Sequence, residues 1–165
     1  MCKCNKYRDD KLHHECGVLG IYGVDDAAGL AYYGLHALQH RGQQGCGIVT
    51  VGPTGEFHRV KGDGLVSEVF NEQKMAKLPG RMAIGHVRYS NAGCKGTENI
   101  QPFLFHHNSG DFAMANNGQI VNYTQLRNDL EDRGSLFQSS SDAEVLAHLI
   151  KKQGTDKSLP RIYAI

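Results

Sequence analysis

Two strand-like runs joined by a tight turn constrain the fold of this chain most. Gly45–Val51 is apolar, residues 56–61 form a second strand-like run, and Gly-Pro-Thr-Gly55 lies between them. A connection this short joins antiparallel neighbours, because parallel strands need a crossover of about a dozen residues or more. Residues 103–107 and 112–115 flank Asn108-Ser-Gly-Asp111 in the same way, which predicts a second hairpin. The sequence therefore predicts antiparallel sheets.

Further strands and a helix are predicted around these hairpins. Residues 17–23 and 82–87 are apolar runs, each typical of a strand. Asp25 and Asp26 offer a helix start, and the helix should end near His40 and Arg41, with Gly42 in the capping position. The apolar residues that recur at helical spacing between these ends are Leu30, Tyr33, Ala37 and Leu38.

Three more helices complete the predicted elements. An amphipathic helix over residues 66–78 should stop at Pro79-Gly80. Two later helices begin with capping-box spacing, Asn122 with Gln125 and Ser141 with Glu144. Their apolar faces are Leu126 and Leu130 in the first helix, and Val145, Leu146, Leu149 and Ile150 in the second. Hairpins mixed with separate helices favour a layered α+β fold over a parallel Rossmann sheet.

Size and charge narrow the function classes. A chain of 165 residues can form one domain with a full core. The formal net charge of +1, with basic residues scattered, gives no sign of a nucleic-acid or acidic-membrane partner. No apolar run reaches membrane-spanning length, and the first fifteen residues lack the apolar stretch of a secretory signal. These observations make a cytoplasmic location the default expectation.

The five cysteines do not resemble a disulfide framework. They are odd in number and irregularly spaced, at positions 2, 4, 16, 46 and 94. Cys2 and Cys4 could bind a soft metal with help from His13 or His14, but a mobile polar tail explains them more simply. Cys46 lies in a predicted buried strand, where a free cysteine behaves as a small hydrophobic residue.

Four segments carry residues that are unusual for structure alone. They are Glu15-Cys-Gly-Val-Leu-Gly20, Leu38-Gln-His-Arg-Gly-Gln-Gln44, Gly85-His-Val-Arg-Tyr-Ser-Asn-Ala-Gly93 and Ala115-Asn-Asn-Gly118. Each has a structural explanation: a cysteine at a strand end, a solvated helix terminus, a solvent-facing Arg88, and an Asn-Gly turn. The arginine is also a good bidentate partner for a carboxylate. No segment is specific when taken singly.

The ordered set of segments resembles the class II glutamine amidotransferases. The matching motifs are Cys16-Gly-Val, Gln39-His-Arg-Gly-Gln43, Gly62-Asp-Gly-Leu-Val-Ser-Glu-Val-Phe70, Gly85-His-Val-Arg-Tyr89, Gln101-Pro-Phe103, Asn117-Gly118 and Ser141-Asp-Ala-Glu144. The Gly-Leu-Val-Ser and His-Val-Arg-Tyr segments favour the phosphoribosyl branch of that family over the hexosamine-forming branch. The resemblance implies a four-layer αββα sandwich of the N-terminal-nucleophile hydrolase type, expected here to be incomplete at its C-terminal end.

The resemblance also implies a reaction and its catalytic residues. Cys16 would attack the side-chain amide of glutamine, form a thioester and release ammonia. Its own α-amino group would be the base, which is chemically suitable because such a group titrates near neutral pH. A peptide nitrogen cannot accept that proton, so residues 1–15 are interpreted as a propeptide cut after Glu15. The side-chain amide of Asn117 and the N–H of Gly118 would stabilise the oxyanion.

A second set of residues would bind the glutamine itself. The resemblance assigns the α-carboxylate to Arg88 and the α-ammonium to Asp142. It also places Tyr89 and Arg41 in the substrate-binding set, with Arg41 near the nucleophile. Asp142 could instead only cap a helix N-terminus. No metal site is predicted, and structural roles are preferred for His86, His106 and His107 because the mechanism needs none of them.

Two positions and the length depart from the family pattern. Asn91 stands where the family usually has Thr, and Asn116 where it usually has His before Asn-Gly. Residues 16–165 are expected to form a C-terminally truncated glutaminase domain, without the phosphoribosyltransferase domain that would accept the ammonia and make 5-phosphoribosylamine for purine synthesis. No cofactor is expected in this domain. The resemblance implies Mg²⁺ for the absent domain, a [4Fe-4S] cluster in some full-length relatives, and homo-oligomers when full length.

Two other function classes stay open at this point. The chain could be an inactive fragment that serves only as an interaction or oligomer-interface module, which predicts an uncut bond between Glu15 and Cys16. It could also be a metal-binding or redox module built on Cys2, Cys4 and the histidines. Intact mass distinguishes the first alternative, and metal analysis distinguishes the second.

Overall fold

The computed structural model describes residues 16–89, 97–108 and 110–153. The chain divides into two compact units, with the division between Gly118 and Gln119. The proposed propeptide, Cys2, Cys4, Asn91 and Cys94 lie outside the described residues.

A four-stranded antiparallel sheet forms the centre of the first unit. Its strands are β1 (Gly17–Tyr22), β2 (Gly45–Val51), β3 (Phe57–Asp63) and β4 (Met82–Arg88), in the order β1-β4-β2-β3. A second, two-stranded sheet pairs β5 (Phe103–Phe105) with β6 (Phe112–Met114), also antiparallel. Both predicted hairpins are present, and the α+β class is confirmed.

The helix α1 (Ala27–Ala37) packs on the first sheet through small residues. Asp26 caps it by accepting a hydrogen bond from the Gly29 N–H at 3.0 Å. Its buried residues are Ala27, Ala28, Ala31 and Leu35. The predicted apolar face was therefore wrong, since Leu30 and Tyr33 are exposed. Alanines let the helix approach the sheet closely, and Leu35 fills the space over Gly85 of β4.

Two short helices replace the single helix predicted over residues 66–78. They are α2 (Val66–Val69) and α3 (Glu72–Met75), separated by extended backbone at Phe70 and Asn71. The Asn71 side chain accepts a hydrogen bond from the Lys74 N–H at 2.9 Å and so starts a new helix. The apolar periodicity continues through Asn71, but the helix does not, because asparagine favours helix starts over helix interiors.

The core of the first unit lies between the sheet, α1 and the α2 region. It includes Leu35, Cys46, Ile48, Val66 and Val87, each fully buried. Burial raises the pKa of the Cys46 thiol to about 12. The prediction that Cys46 belongs to the core is confirmed.

The second unit contains α4 (Tyr123–Asp132) and α5 (Asp142–Gln153). Both helices were predicted, but neither predicted capping box forms. Asn122 makes no side-chain capping hydrogen bond. The Glu144 carboxylate reaches back past Ser141 and accepts hydrogen bonds from the N–H groups of Gln138 and Ser139, each at 2.8 Å. A buried carboxylate needs several donors, and this loop supplies them.

None of the helices in the described ranges combines the length and the apolar character needed to span a membrane.

Candidate functional site

The register of β1 against β4 places Cys16 beside the end of β4. Gly17 pairs with Val87, so Cys16 lies next to the segment that contains Arg88 and Tyr89. The main-chain N–H of Tyr89 donates a hydrogen bond to the Cys16 Sγ at 3.3 Å, and the thiol lies 3.6 Å from the Tyr89 carbonyl oxygen. The Cys16 side chain is partly exposed. A cysteine that is held by main chain and open to solvent can act as a nucleophile.

Arg41 fixes the main chain of the same cysteine. Its Nε donates a hydrogen bond to the Cys16 carbonyl oxygen at 3.2 Å. Arg41 ends the 3₁₀ turn Gln39–Arg41, which follows α1. This contact places Arg41 next to the main chain of Cys16.

Gln39 and Gly42 hold this turn against the sheet. The Gln39 side chain donates to the Gly42 carbonyl oxygen and accepts from the Val66 N–H at 2.7 Å. A Cβ on Gly42 would come within 2.5 Å of the Arg88 carbonyl carbon, so only glycine permits this approach. The turn that contains Arg41 therefore packs directly against the end of β4.

Arg88 is the last residue of β4 and pairs with Gly45 of β2. Its carbonyl oxygen accepts a hydrogen bond from the Gln44 N–H at 3.1 Å. Its pairing with β2 and this hydrogen bond fix the main chain of Arg88, while its side chain is partly exposed. A guanidinium in this position suits a carboxylate ligand.

His86 is buried two residues before Arg88. Burial lowers its pKa from 6.5 to about 4, and the positive charge of Arg88 contributes in the same direction. A polar main-chain group of Asn116 raises the pKa by a smaller amount. Within the described residues, neither ring nitrogen makes a hydrogen bond of good geometry. The imidazole is therefore neutral near pH 7.

Asn117 and Gly118 follow β6 in an exposed segment of the first unit. A Cβ on Gly118 would meet no atom within 4 Å, so the space beside it is open. In the part of the chain that the structure describes, no hydrogen bond joins either residue to Cys16. Asn116, which precedes them, is held in place by two hydrogen bonds with Gln101, at 2.7 and 2.9 Å.

Asp142 begins α5 in the second unit. One of its carboxylate oxygens accepts a hydrogen bond from the Ile120 N–H at 2.7 Å. This hydrogen bond joins residues 22 positions apart in the sequence, so Asp142 does more than cap the N-terminus of its own helix. Ile120 is two residues beyond Gly118 in the sequence.

His86 and His106 do not share a ligand site. His106 forms an exposed pair with Asp111 in the β5–β6 hairpin, at 2.8 Å, whereas His86 is buried in β4. Over residues 16–89, 97–108 and 110–153, no group of three or more His, Cys, Asp or Glu side chains is arranged to hold a metal ion.

The structure thus brings Cys16, Arg41 and Tyr89 into direct contact and places Arg88 beside them. Sequence reasoning treated Gln101 only as a motif residue and missed its contact with Asn116. The signal that could have found it is a glutamine directly before Pro102 and an apolar strand, where a polar side chain needs a buried partner.

Residues 72–165 match the family described as a glutamine amidotransferase domain. The chain is 56% identical over 145 residues to the amidophosphoribosyltransferase of Bacillus subtilis (strain 168), covering 87% of this chain and 30% of that protein. It is 56% identical over 142 residues to amidophosphoribosyltransferase 2, chloroplastic, of Arabidopsis thaliana, covering 86% of this chain and 25% of that protein. The Lacticaseibacillus casei amidophosphoribosyltransferase is 52% identical over 143 residues, which is 86% of this chain and 73% of the relative.

Two solved structures are similar to the chain in fold. One is described as the allosteric regulatory enzyme of purine biosynthesis, with a TM-score of 0.79, 54% identity, and coverage of 83% of this chain and 30% of that one. The other is the glutamine phosphoribosylpyrophosphate amidotransferase of B. subtilis complexed with ADP and GMP, with a TM-score of 0.76, 52% identity, and coverage of 83% and 29%. This likeness confirms the predicted N-terminal-nucleophile hydrolase type of fold. The chain spans between a quarter and a third of the length of most of these relatives.

Proposed function

Because this chain belongs to the amidophosphoribosyltransferase family and carries its glutamine amidotransferase domain, we propose that it hydrolyses glutamine to glutamate and ammonia. The observation that carries the proposal is the placement of Cys16. Its Sγ accepts a hydrogen bond from the Tyr89 N–H while Arg41 binds its carbonyl oxygen. Both contacts fix a solvent-accessible thiol at the end of the sheet.

The reaction begins with proton transfer from the Cys16 thiol to the α-amine of the same residue. This step requires a free amine, so the bond between Glu15 and Cys16 must first be cut. The thiolate then attacks the amide carbon of the glutamine side chain, and the C–N bond breaks as the amine returns the proton to the leaving ammonia. Water hydrolyses the resulting thioester and restores the thiol.

Negative charge on the substrate oxygen is stabilised by the Asn117 side-chain amide and the Gly118 N–H. Each fixed donor contributes on the order of 3 kcal/mol to such a transition state. The open space beside Gly118 leaves room for a substrate to approach its N–H. In this proposal Arg88 binds the α-carboxylate of glutamine and Asp142 its α-ammonium.

The Tyr89 N–H and the Arg41 side chain position the nucleophile and not the substrate. The Tyr89 N–H lies 3.3 Å from the Cys16 Sγ and holds the sulfur in place. The Arg41 Nε donates to the Cys16 carbonyl oxygen and so fixes the main chain of the same residue.

The fate of the ammonia is a proposal for the longer family members. There it would reach a phosphoribosyltransferase domain and form 5-phosphoribosylamine for purine synthesis, with Mg²⁺ bound in that domain. The described cysteines, Cys16 and Cys46, do not suit an iron–sulfur cluster, because Cys46 is sealed in the core. A [4Fe-4S] cluster and homo-oligomers are likewise proposed for the longer family members. A cytoplasmic location is supported by these two free thiols, which are typical of a reducing compartment.

Glutamate production by the processed chain, which begins at Cys16, tests the proposal. The wild-type protein with a free Cys16 amine should release glutamate and ammonia in equal amounts. Cys16→Ala should release none, whereas Cys46→Ala, which deletes a thiol from the core, should remain active. Folded wild-type protein that releases no glutamate would refute the proposed activity.

A further inference from the structure

Gln101 commits both ends of its side-chain amide to one residue. Its Nε2 donates a hydrogen bond to the Asn116 Oδ1 at 2.9 Å, and its Oε1 accepts one from the Asn116 main-chain N–H at 2.7 Å. Gln101 is buried. Two hydrogen bonds in a buried setting restrain Asn116 in both position and orientation, because a lost partner would leave an unsatisfied polar group.

Gln101 is itself attached to the central sheet. A Cβ on Gly47 of β2 would come within 2.4 Å of the Gln101 carbonyl oxygen and 3.1 Å of the Pro102 Cδ, so the main chain here lies directly on the strand. The Lys61 side chain of β3 also donates to the Ile100 carbonyl oxygen at 3.1 Å. Gln101 therefore connects a rigid sheet to the segment after β6.

Asn116 immediately precedes Asn117 and Gly118. We propose that Gln101 is a positioning residue for glutamine hydrolysis, which holds the Asn117 amide and the Gly118 N–H in place through Asn116. This inference rests on the proposed function. Fixed donors stabilise an oxyanion only when they already point at it, and a displacement of about 1 Å can cost roughly a hundredfold in rate.

The chemistry of the pair suits an asparagine at position 116. A glutamine amide is both donor and acceptor, so it can serve the Asn116 side chain and the Asn116 main chain together. Leucine at position 101 would serve neither group. Leucine at position 116 would remove only the side-chain acceptor and leave the main-chain hydrogen bond intact.

The test compares Gln101→Leu, Asn116→Leu and Asn116→Asp in the processed chain, which begins at Cys16. Gln101→Leu should lower kcat by about 10- to 100-fold with KM for glutamine changed less than about threefold. Asn116→Leu should lose less, and Asn116→Asp, which keeps an acceptor for Nε2–H, less again. The matched control is Gln73→Leu on the exposed surface of α3, which should keep wild-type kinetics.

Alkylation of Cys16 by iodoacetamide separates positioning from general damage, because this reaction uses the thiolate but no oxyanion donor. Its rate at Cys16, followed by peptide mapping, should equal that of wild type in all variants. An unchanged kcat in Gln101→Leu would overturn the inference, as would a fall in kcat matched by an equal fall in alkylation. If Gln101→Leu does not fold, Asn116→Leu decides by the same two readouts. Wild-type protein without glutaminase activity would mark failure of the proposed function instead.

Discussion

The main-chain N–H of Tyr89 lies 3.3 Å from the Sγ of Cys16, although the two residues are 73 positions apart in the sequence. The contact follows from the antiparallel register in which Gly17 pairs with Val87. Because a main-chain group makes it, substitution of Tyr89 by any residue except proline keeps this donor. The position of the nucleophile is thus set by strand pairing.

Loss of an oxyanion donor should affect the rate more than binding. Asn117→Ala removes the side-chain amide and should lower kcat by about 10²–10³-fold with little change in KM. Asn108→Ala, an asparagine deletion in the exposed turn of the β5–β6 hairpin, is the matched control and should keep wild-type kinetics. Steady-state assays of glutamate formation measure both. A rise in KM alone for Asn117→Ala would place this residue in substrate binding instead.

Arg88 should act on glutamine binding through its planar fork. Arg88→Lys keeps the charge but loses the bidentate geometry, so KM should rise by about 10- to 100-fold. Arg59→Lys on the exposed side of β3 makes the same substitution away from the site and should change nothing. A normal KM in Arg88→Lys would exclude a carboxylate clamp at this position.

Asp142 combines a proposed electrostatic role with an observed structural one. Asp142→Asn keeps an oxygen that can accept from the Ile120 N–H, so the protein should fold while KM for glutamine rises. Asp142→Ala loses that acceptor as well and should cost about 1 kcal/mol in unfolding free energy. Chemical denaturation and KM measurement separate the two effects. Asp132→Asn, at the exposed end of α4, is the control for charge loss. Equal KM values for Asp142→Asn and wild type would limit Asp142 to its structural role.

His86 should make the fold sensitive to acid. The unfolded chain accepts its proton near pH 6.5, whereas the folded chain resists protonation until about pH 4. Stability is therefore full above pH 6.5 and is lost as the pH falls towards 4, by an amount on the order of 3 kcal/mol.

Urea denaturation at pH 7 and pH 4.5 measures this loss. His86→Leu removes the titrating ring and should flatten the pH dependence between these values. His36→Gln on the exposed side of α1 should leave the slope unchanged. An identical slope in wild type and His86→Leu would show that another group controls acid stability.

The strands were predicted well because apolar runs and turn residues lie next to one another in the sequence. The bounds of β2 were predicted to the residue, and the turn before β3 follows from glycine and proline chemistry. The buried face of α1 was missed because close packing selects alanines, which carry little apolar signal, while the larger Leu30 and Tyr33 face solvent. The helix break at Asn71 was missed because one side-chain hydrogen bond outweighed periodicity.

The candidate site was predictable in part for a related reason. The resemblance located Cys16, Arg41, Arg88 and Asn117 by motif. The contact between Gln101 and Asn116 depends on how the segment before β5 lies on β2, and no spacing in the sequence encodes that placement. The same holds for the reach of Asp142 to Ile120.

In the proposed mechanism, Cys16 supplies both the thiol and the free amine that open the amide of glutamine. Intact mass spectrometry of glutamine-hydrolysing protein tests it most directly. Active protein should contain a chain that begins at Cys16, with residues 1–15 removed. A preparation that forms glutamate at full rate while every molecule retains the bond between Glu15 and Cys16 would contradict it.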